Sequence, residues 1–174
     1  MPRKLPPGYI LHPGYPPAEI YVDLRKSAGL SPHTATQAIA AFNGSWYGCY
    51  ITFNPSAAQA QDPQTERESS SSSSLSNESE IVAMGRIVGD GGWYFVIADM
   101  AVLPAHQRKG LGDYVLKHLI QKIKSTPPMS TAMQDGGIAP YVNLLADGPG
   151  RLLYERNGFE FTAPHSMGMA LKWT

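Results

Sequence analysis

The sequence predicts one domain of mixed α/β (α+β) class, residues 1–174, with a sheet flanked by about four helices. The chain has 174 residues, of which 43% are hydrophobic, which suits a single buried core. Short apolar segments rich in β-branched and aromatic residues occupy the middle of the chain, between turn residues. In the second half, such segments alternate with helical patterns, which is typical of a sheet covered by helices.

The N-terminal part predicts one strand and two helices. Its proline-rich start is extended, with a strand over Tyr9–Leu11. A helix is expected over Glu19–Gly29, because glycine commonly ends a helix. Ser31 is then an N-cap and Pro32 the first helical residue, so a short helix is expected over His33–Phe42.

A polar insert separates the next two predicted strands. The strand Trp46–Phe53 is followed by Asn54–Glu80, which includes six consecutive serines, Ser69–Ser74. A stretch so poor in large apolar residues cannot offset the entropy of ordering it. We therefore predict a disordered loop over residues 54–80.

The clearest periodic patterns follow the insert. Asp90-Gly91-Gly92 indicates a hairpin between two apolar segments. Leucine, valine and isoleucine then recur every four residues through a predicted helix, with lysines on the other side. The elements predicted from this point are strands Ile81–Gly89 and Tyr94–Val102, helix Gln107–Lys124, strand Tyr141–Ala146, helix Gly150–Asn157, and strands Phe159–Phe161 and Met167–Trp173.

Composition argues against several classes of function. Fourteen basic and fourteen acidic side chains give a formal net charge of +0, whereas nucleic-acid binders normally carry a basic excess. Cys49 is the sole cysteine and the five histidines are scattered, so we expect neither a disulfide nor a metal site. We see no signal peptide and no membrane-spanning apolar run, and we expect a soluble, cytoplasmic protein.

One turn carries the strongest chemical signal. It connects the predicted strand Tyr94–Val102 to the predicted helix and contains two glycines. Unpaired amides at a helix N-terminus attract anions, and glycines let a phosphate approach the backbone closely. A turn with glycines for packing alone is the competing interpretation. The residues of the turn are Gln107, Arg108, Lys109, Gly110, Leu111 and Gly112.

Two common phosphate loops do not match this turn. A P-loop requires lysine and then serine or threonine after its second glycine, and this turn has neither in place. The dinucleotide fingerprint requires a third glycine where Val115 stands.

Two segments together resemble the GNAT superfamily of acetyl-CoA-dependent N-acetyltransferases. AVLPAHQRKGLG is similar to its acetyl-CoA signature, [Q/R]xxGx[G/A] after an apolar strand. LLYERNGFEF is similar to its C-terminal motif, with Tyr154 four residues before Gly158-Phe159. The resemblance implies a mostly antiparallel sheet with central splayed parallel strands. It covers roughly residues 46–173 apart from the insert, and more loosely the two N-terminal helices, which would form part of an acceptor pocket.

The resemblance also implies roles for individual residues. Main-chain amides of residues 107–112 would hold the pyrophosphate of acetyl-CoA, and Tyr154 would be the general acid. Asp147 stands where many members carry an asparagine that contacts the cofactor, and Arg151 would offer a cation or be a solvated surface residue. Backbone groups of the splayed strand would hold pantetheine, namely those of Met100, Ala101 and Val102.

The sequence gives weaker evidence for the general base and for the acceptor site. Asp99 is the candidate base, but a carboxylate has too low a pKa unless burial raises it or water relays the proton. Capping or orienting neighbouring backbone is the alternative role. Asp90, Trp93 and Tyr94 could form an aromatic, acidic wall for a cationic amine, or cover the core or a dimer interface. His165 could reach the acceptor.

The expected acceptor is a small primary amine, such as the amino sugar glucosamine. The alternatives are a protein amine, or a non-catalytic acyl-CoA-binding or sensing module built on the same fold. We expect no nucleic-acid or membrane partner. A terminal strand ending in Lys172-Trp173 would permit a homodimer.

Overall fold

A computed structural model describes residues 4–59, 79–127 and 136–171. Five strands form one sheet in the order β1-β2-β3-β4-β5, antiparallel throughout except for the parallel pair β4–β5. The predicted mixed class is confirmed. The elements are β1 (Tyr9–Pro13), α1 (Ala18–Ser27), α2 (Ala35–Asn43), β2 (Tyr47–Phe53), α3 (Pro55–Gln59), β3 (Glu80–Gly89), β4 (Tyr94–Val102), α4 (Leu111–Ser125), β5 (Tyr141–Asn143) and α5 (Arg151–Glu155).

Helices pack on both faces of the sheet. The N-terminal helices α1 and α2 bury one cluster, and α4 buries a larger one. Side chains alternate between the two faces of a strand, so adjacent residues of β3 face different helices: Gly85 faces α4 and Arg86 faces α1. Helix α4 contributes Leu111, Val115, Leu116, Leu119 and Ile123 to its cluster, as the four-residue spacing predicts.

Helix α2 begins later than predicted. Its N-cap is Thr34, whose side chain accepts a hydrogen bond from the Gln37 amide at 3.2 Å. In return Gln37 Oε1 accepts from the Thr34 amide at 3.0 Å, which completes a capping box. This pair is the actual start signal, and Ser31-Pro32 lies in the preceding loop.

A β-bulge interrupts the pairing of β3 with β4. Met84 faces Ala101 whereas Arg86 faces Ala98, so β4 holds one residue more than β3 across Gly85. Asp99 lies in this bulge with φ of 53°, a left-handed conformation that aspartate adopts more readily than most residues. The bulge re-aims the side chain of Asp99 and changes the course of β4.

Strand β5 leaves β4 soon after pairing begins. Its three residues face Tyr94, Phe95 and Val96, and no later residue of β4 is paired with it. The predicted strand Tyr141–Ala146 thus ends at Asn143. The central parallel strands therefore diverge beyond Val96, as the resemblance implied.

Four other predictions need correction. Within the predicted loop 54–80, Pro55–Gln59 is helical, because the Asn54 side chain accepts hydrogen bonds from the amides of Ser56 and Ala57. Residues 60–78 of that loop lie outside the described residues. Helix α4 starts at Leu111, after Gly110 in a left-handed conformation. No strand forms over 159–171, where most side chains are exposed, and 172–173 are not described.

We expect Gly85→Ala to lower the free energy of unfolding. A Cβ at this position would lie 2.6 Å from Met100 Sδ and 2.9 Å from Val115 Cγ1. Methionine can move, but β-branched valine in a helix cannot, so we expect a loss of about 1–3 kcal/mol in denaturant titrations. Gly44→Ala is the control, because its nearest neighbour would lie 3.6 Å away. Equal stability of the two variants would contradict close packing at the bulge.

Candidate functional site

The turn between β4 and α4 presents free backbone amides. A 3-10 turn over Pro104–His106 precedes it, and Arg108 and Gly110 adopt left-handed conformations, with φ of 61° and 84°. Helix α4 has no side-chain cap, and no described residue accepts a hydrogen bond from the amides of residues 108–113. These donors lie at the positive end of the helix dipole, so the turn is built to hold an anion.

The edge of β4 near this turn has no neighbouring strand in the described part of the chain. Leu103 donates to the Val82 carbonyl at 2.9 Å, and alternation along an antiparallel ladder then directs the polar groups of Val102 away from β3. Gln107 Nε2 donates to the Val102 carbonyl at 3.1 Å. An extended ligand can therefore pair with this edge, where β5 has diverged.

The side chains of the turn differ in what they can contact. Arg108 and Lys109 are exposed cations, and Lys109 donates to the Tyr9 hydroxyl at 3.2 Å. Leu111 is buried in the core, so only its backbone is available to a ligand. His106 is 7% exposed and its Nδ1 lies 2.8 Å from the Tyr9 hydroxyl, which makes it a packing residue.

Helix α5, which carries Tyr154, packs against the first turn of α4. A Cβ on Gly112 would lie 3.4 Å from Leu153 Cδ2. Asn157 Nδ2 donates to Asp113 Oδ1 at 2.9 Å and to the Leu153 carbonyl at 2.8 Å. The two motifs singled out in the sequence are thus in contact.

Tyr154 is half-buried beside an open, mostly apolar cavity of about 510 Å³. Burial, and then the nearby Asp147 carboxylate, raise the pKa of its hydroxyl above the usual value for tyrosine. The Tyr154 ring lies 6.0 Å from that of Phe159, edge to face. Arg151 lines the same cavity, and its guanidinium is 5.7 Å from the Phe161 ring.

Asp99 is the centre of a buried charge cluster. Tyr21 donates to its Oδ2 at 2.5 Å, Arg86 donates to the same oxygen at 2.6 Å, and Arg25 donates to Oδ1. The side chains of Arg25, Arg86 and Asp99 are 10%, 17% and 13% exposed. Asp99 therefore ties α1 to the middle of the sheet.

This cluster argues against the base role predicted for Asp99. Burial alone would raise its pKa, but the hydrogen bonds from Tyr21 and Arg86 and the charges of both arginines lower it below the usual value. The same environment raises the pKa of Tyr21 and of Arg86. The raised pKa that a carboxylate base needs is not found. The alternative role, orienting neighbouring backbone, is not what these contacts provide either, because the carboxylate accepts from the side chains of Tyr21, Arg25 and Arg86.

Of the residues predicted to wall the acceptor, Asp90 has a structural role. Asp90 Oδ1 accepts from the amides of Gly92, Trp93 and Tyr94 at 2.8–3.1 Å, which fixes the hairpin and lowers the Asp90 pKa. The hairpin leads into β4 at Tyr94, five residues before Asp99, which corresponds to about 17 Å along the strand. Trp93, Tyr94 and His165 are exposed and line neither the cavity beside Tyr154 nor a second cavity, of about 270 Å³, beside Asp99.

The remaining candidate residues differ in how far they are exposed. Asp147 is exposed, and its carbonyl accepts from the Gly150 amide at 3.0 Å. Ala101 is buried against α1 and α2, whereas Met100 and Val102 are half-buried. Cys49 is a core residue, as predicted, and burial raises the pKa of its thiol to about 12.

Sequence reasoning missed the partners of Asp99. Arg86 interrupts the apolar run of β3, and Arg25 follows Tyr21 by four residues on the buried face of α1. Buried arginines normally require a partner, and these positions could have been recognised on that basis. Within the described ranges, no group of three or more His, Cys, Asp or Glu suits a metal, and no helix has the length and apolarity to cross a membrane.

We expect Asp99→Asn to destabilise the protein by about 3 kcal/mol at pH 7, because it leaves two arginines without a carboxylate. The pKa of Asp99 is lowered by folding, so its contribution is complete above the unfolded-state pKa of about 4 and is lost as pH falls through the folded-state pKa. The difference from the parent should therefore shrink below about pH 4 in denaturant titrations. The exposed Asp23→Asn is the control. A difference that does not vary with pH would contradict the ion pairs.

Comparison with known proteins agrees with this geometry. A family model, the acetyltransferase (GNAT) domain, matches residues 73–161, just over half of the chain. A solved structure described as a probable acetyltransferase from meticillin-resistant Staphylococcus aureus is 27% identical, with a TM-score of 0.68, over 95% of this chain and 99% of that one. Curated protein sequences gave no match.

Two further structures share the fold. A GNAT-family acetyltransferase from Streptococcus pneumoniae is 17% identical, with a TM-score of 0.62, over 95% of this chain and 98% of that one. A glucosamine-6-phosphate N-acetyltransferase from Arabidopsis thaliana is 14% identical, with a TM-score of 0.57, over 95% and 99%. The family uses acetyl-CoA as its acetyl donor. The chain belongs to the GNAT acetyltransferase family and is an acyltransferase.

Proposed function

We propose that the protein transfers an acetyl group from acetyl-CoA to the primary amine of a small molecule, by direct attack in a ternary complex. One observation carries the proposal: the uncapped amides of the turn at α4 lie against the helix that carries Tyr154. An anion site for a diphosphate and a hydroxyl that can donate a proton are thereby brought to one region.

The donor fits the residues present. The amides of residues 108–113 have no described acceptor, and Arg108 and Lys109 add positive charge beside them. Pantetheine would pair with the edge of β4 around Met100, Ala101 and Val102, where the Val102 carbonyl points away from β3. The gap between β4 and β5 beyond Val96 leaves this edge open.

Tyr154 suits the role of general acid. When bound, acetyl-CoA supplies a thioester whose carbonyl carbon the amine attacks; a C–N bond forms, the C–S bond breaks, and the amine loses a proton to water. The Tyr154 hydroxyl is protonated at neutral pH, so it can donate its proton to the leaving sulfur and then regain one from solvent. The buried thiol of Cys49 is not needed, because transfer is direct.

A small acceptor is favoured by the size of the cavity beside Asp99, about 270 Å³, which admits a compact molecule. It is lined by α1, α2, β3 and β4, next to the bulge. An amino sugar such as glucosamine is our specific candidate. The Arabidopsis protein is named for a glucosamine phosphate, and at 14% identity that likeness shows the fold alone.

We expect Tyr154→Phe to lower kcat by about 100-fold or more while the Kd for acetyl-CoA stays unchanged, because the ring is kept and the proton donor is lost. Release of free thiol from acetyl-CoA measures turnover across a panel of amines, and calorimetry measures affinity.

Tyr141→Phe is the matched control for that substitution, because Tyr141 borders the same cavity and is 47% exposed. It should retain parental kcat. Full activity of Tyr154→Phe would remove Tyr154 from the mechanism, and absence of turnover with every amine tested would overturn the proposed function.

We expect Gly112→Asp to weaken coenzyme A binding at least about 10-fold without destabilising the fold. A carboxylate in the first turn favours the helix dipole but repels a diphosphate bound at the same amides. Gly112→Ala introduces the same Cβ without charge and should keep the parental Kd in calorimetry. Equal affinity of both variants would place the diphosphate elsewhere.

A further inference from the structure

The cavity beside Asp99 has an unbalanced charge. Its lining includes two arginines, Arg25 and Arg86, and one carboxylate, Asp99, which both arginines contact. No other described acidic side chain lines the cavity or pairs with either arginine. Two guanidinium charges against one carboxylate leave one positive charge in a largely buried position, where an unpaired charge is costly.

The guanidinium group of Arg25 also has a donor without an acceptor. Arg25 donates to Asp99 and to the Ser31 carbonyl at 3.1 Å, but its buried Nε has no acceptor in the described ranges. Arg86 donates from Nε to Asp99 and from Nη1 to Ser45 Oγ at 2.9 Å. Buried donors are almost always satisfied, so the Arg25 Nε lacks an acceptor that a ligand could supply.

The rest of the lining adds donors rather than negative charge. His33 and Gln37 lie at the rim, from the start of α2 and the loop before it. Asp99 itself already accepts from three donors, so little of it remains to bind a cationic ligand. The cavity therefore favours oxyanions and disfavours molecules that carry only positive charge.

We infer that the acceptor amine carries an oxyanion, a carboxylate or a phosphate, and that Arg25 and Arg86 bind that group in the cavity between α1, α2 and the bulge of β4. This inference rests on the proposed function, because it assigns the cavity to the acceptor. Bidentate guanidinium groups are well suited to carboxylates and phosphates. The net positive charge of the cavity also excludes polyamines from it, because they carry no anion.

The test compares matched acceptors that differ in the anion. The pairs are O-phosphoethanolamine with ethanolamine, phenylalanine with 2-phenylethylamine, and glucosamine 6-phosphate with glucosamine. We expect kcat/KM, measured by thiol release from acetyl-CoA, to be at least about 10-fold higher for the anionic member of a used pair. Equal or better use of the members that lack an anion would overturn the inference and leave the proposed function standing.

A charge variant at the rim keeps the arginine cluster intact. Gln37→Glu preserves the capping box, since glutamate can accept from the Thr34 amide as glutamine does, and it adds one negative charge to the cavity. We expect it to lower the preference for the anionic member about 10-fold, whereas Gln121→Glu, exposed on α4, leaves that preference unchanged. An unchanged preference in Gln37→Glu would also overturn the inference.

Binding separates the two possible failures. If no amine is acetylated, the proposed function fails, and the inference is then judged by calorimetry with saturating coenzyme A at constant ionic strength. O-phosphoethanolamine should bind, ethanolamine should not, and Gln37→Glu should weaken the binding. Absence of binding by all three anionic probes would overturn the inference.

Discussion

The arrangement of the site depends on the hydrogen bonds that the carboxylate of Asp99 accepts. It lies in a bulge with a left-handed backbone, which is an unfavourable conformation for most residues, and three donors hold it there. Those donors come from α1 and β3, so one side chain joins a helix to the centre of the sheet. Because the bulge adds a residue to β4 alone, it also changes the course of that strand near the place where β5 departs.

The divergence of β4 and β5 explains how a packed domain can hold an extended ligand. Backbone donors and acceptors that a full parallel pair would satisfy lack a strand partner beyond Val96, and a bound amide chain can pair with them instead. The divergence of β4 and β5 does not disrupt the core, because α4 and β2–β4 bury their apolar side chains against one another on one face of the sheet. Stability and ligand access are thus provided by different parts of the sheet.

Periodic patterns predicted most of the fold because they report burial directly. The repeat from Leu111 to Ile123 identified α4, and the glycine pair identified the turn. The pattern after Phe159 misled, because alternating apolar residues there are exposed rather than paired. The sequence also indicated Asp99 but not its partners, since Arg25 and Arg86 lie 61 residues apart and meet only through the bulge. The position of each arginine on a buried face is a local signal, but the identity of the carboxylate that it pairs with is not.

Our proposals assign the two anions to regions of different chemistry, and this bears on how the family can vary. The turn before α4 would bind the donor through main-chain amides and the helix dipole, which tolerate many side chains as long as glycines keep the backbone accessible. The cavity beside Asp99 depends on side chains, so substitution of Arg25 or Arg86 would change its ligand without altering the fold of the turn. Under these proposals, a constant donor and a variable acceptor can be combined on one sheet, because backbone would bind the donor and side chains would bind the acceptor.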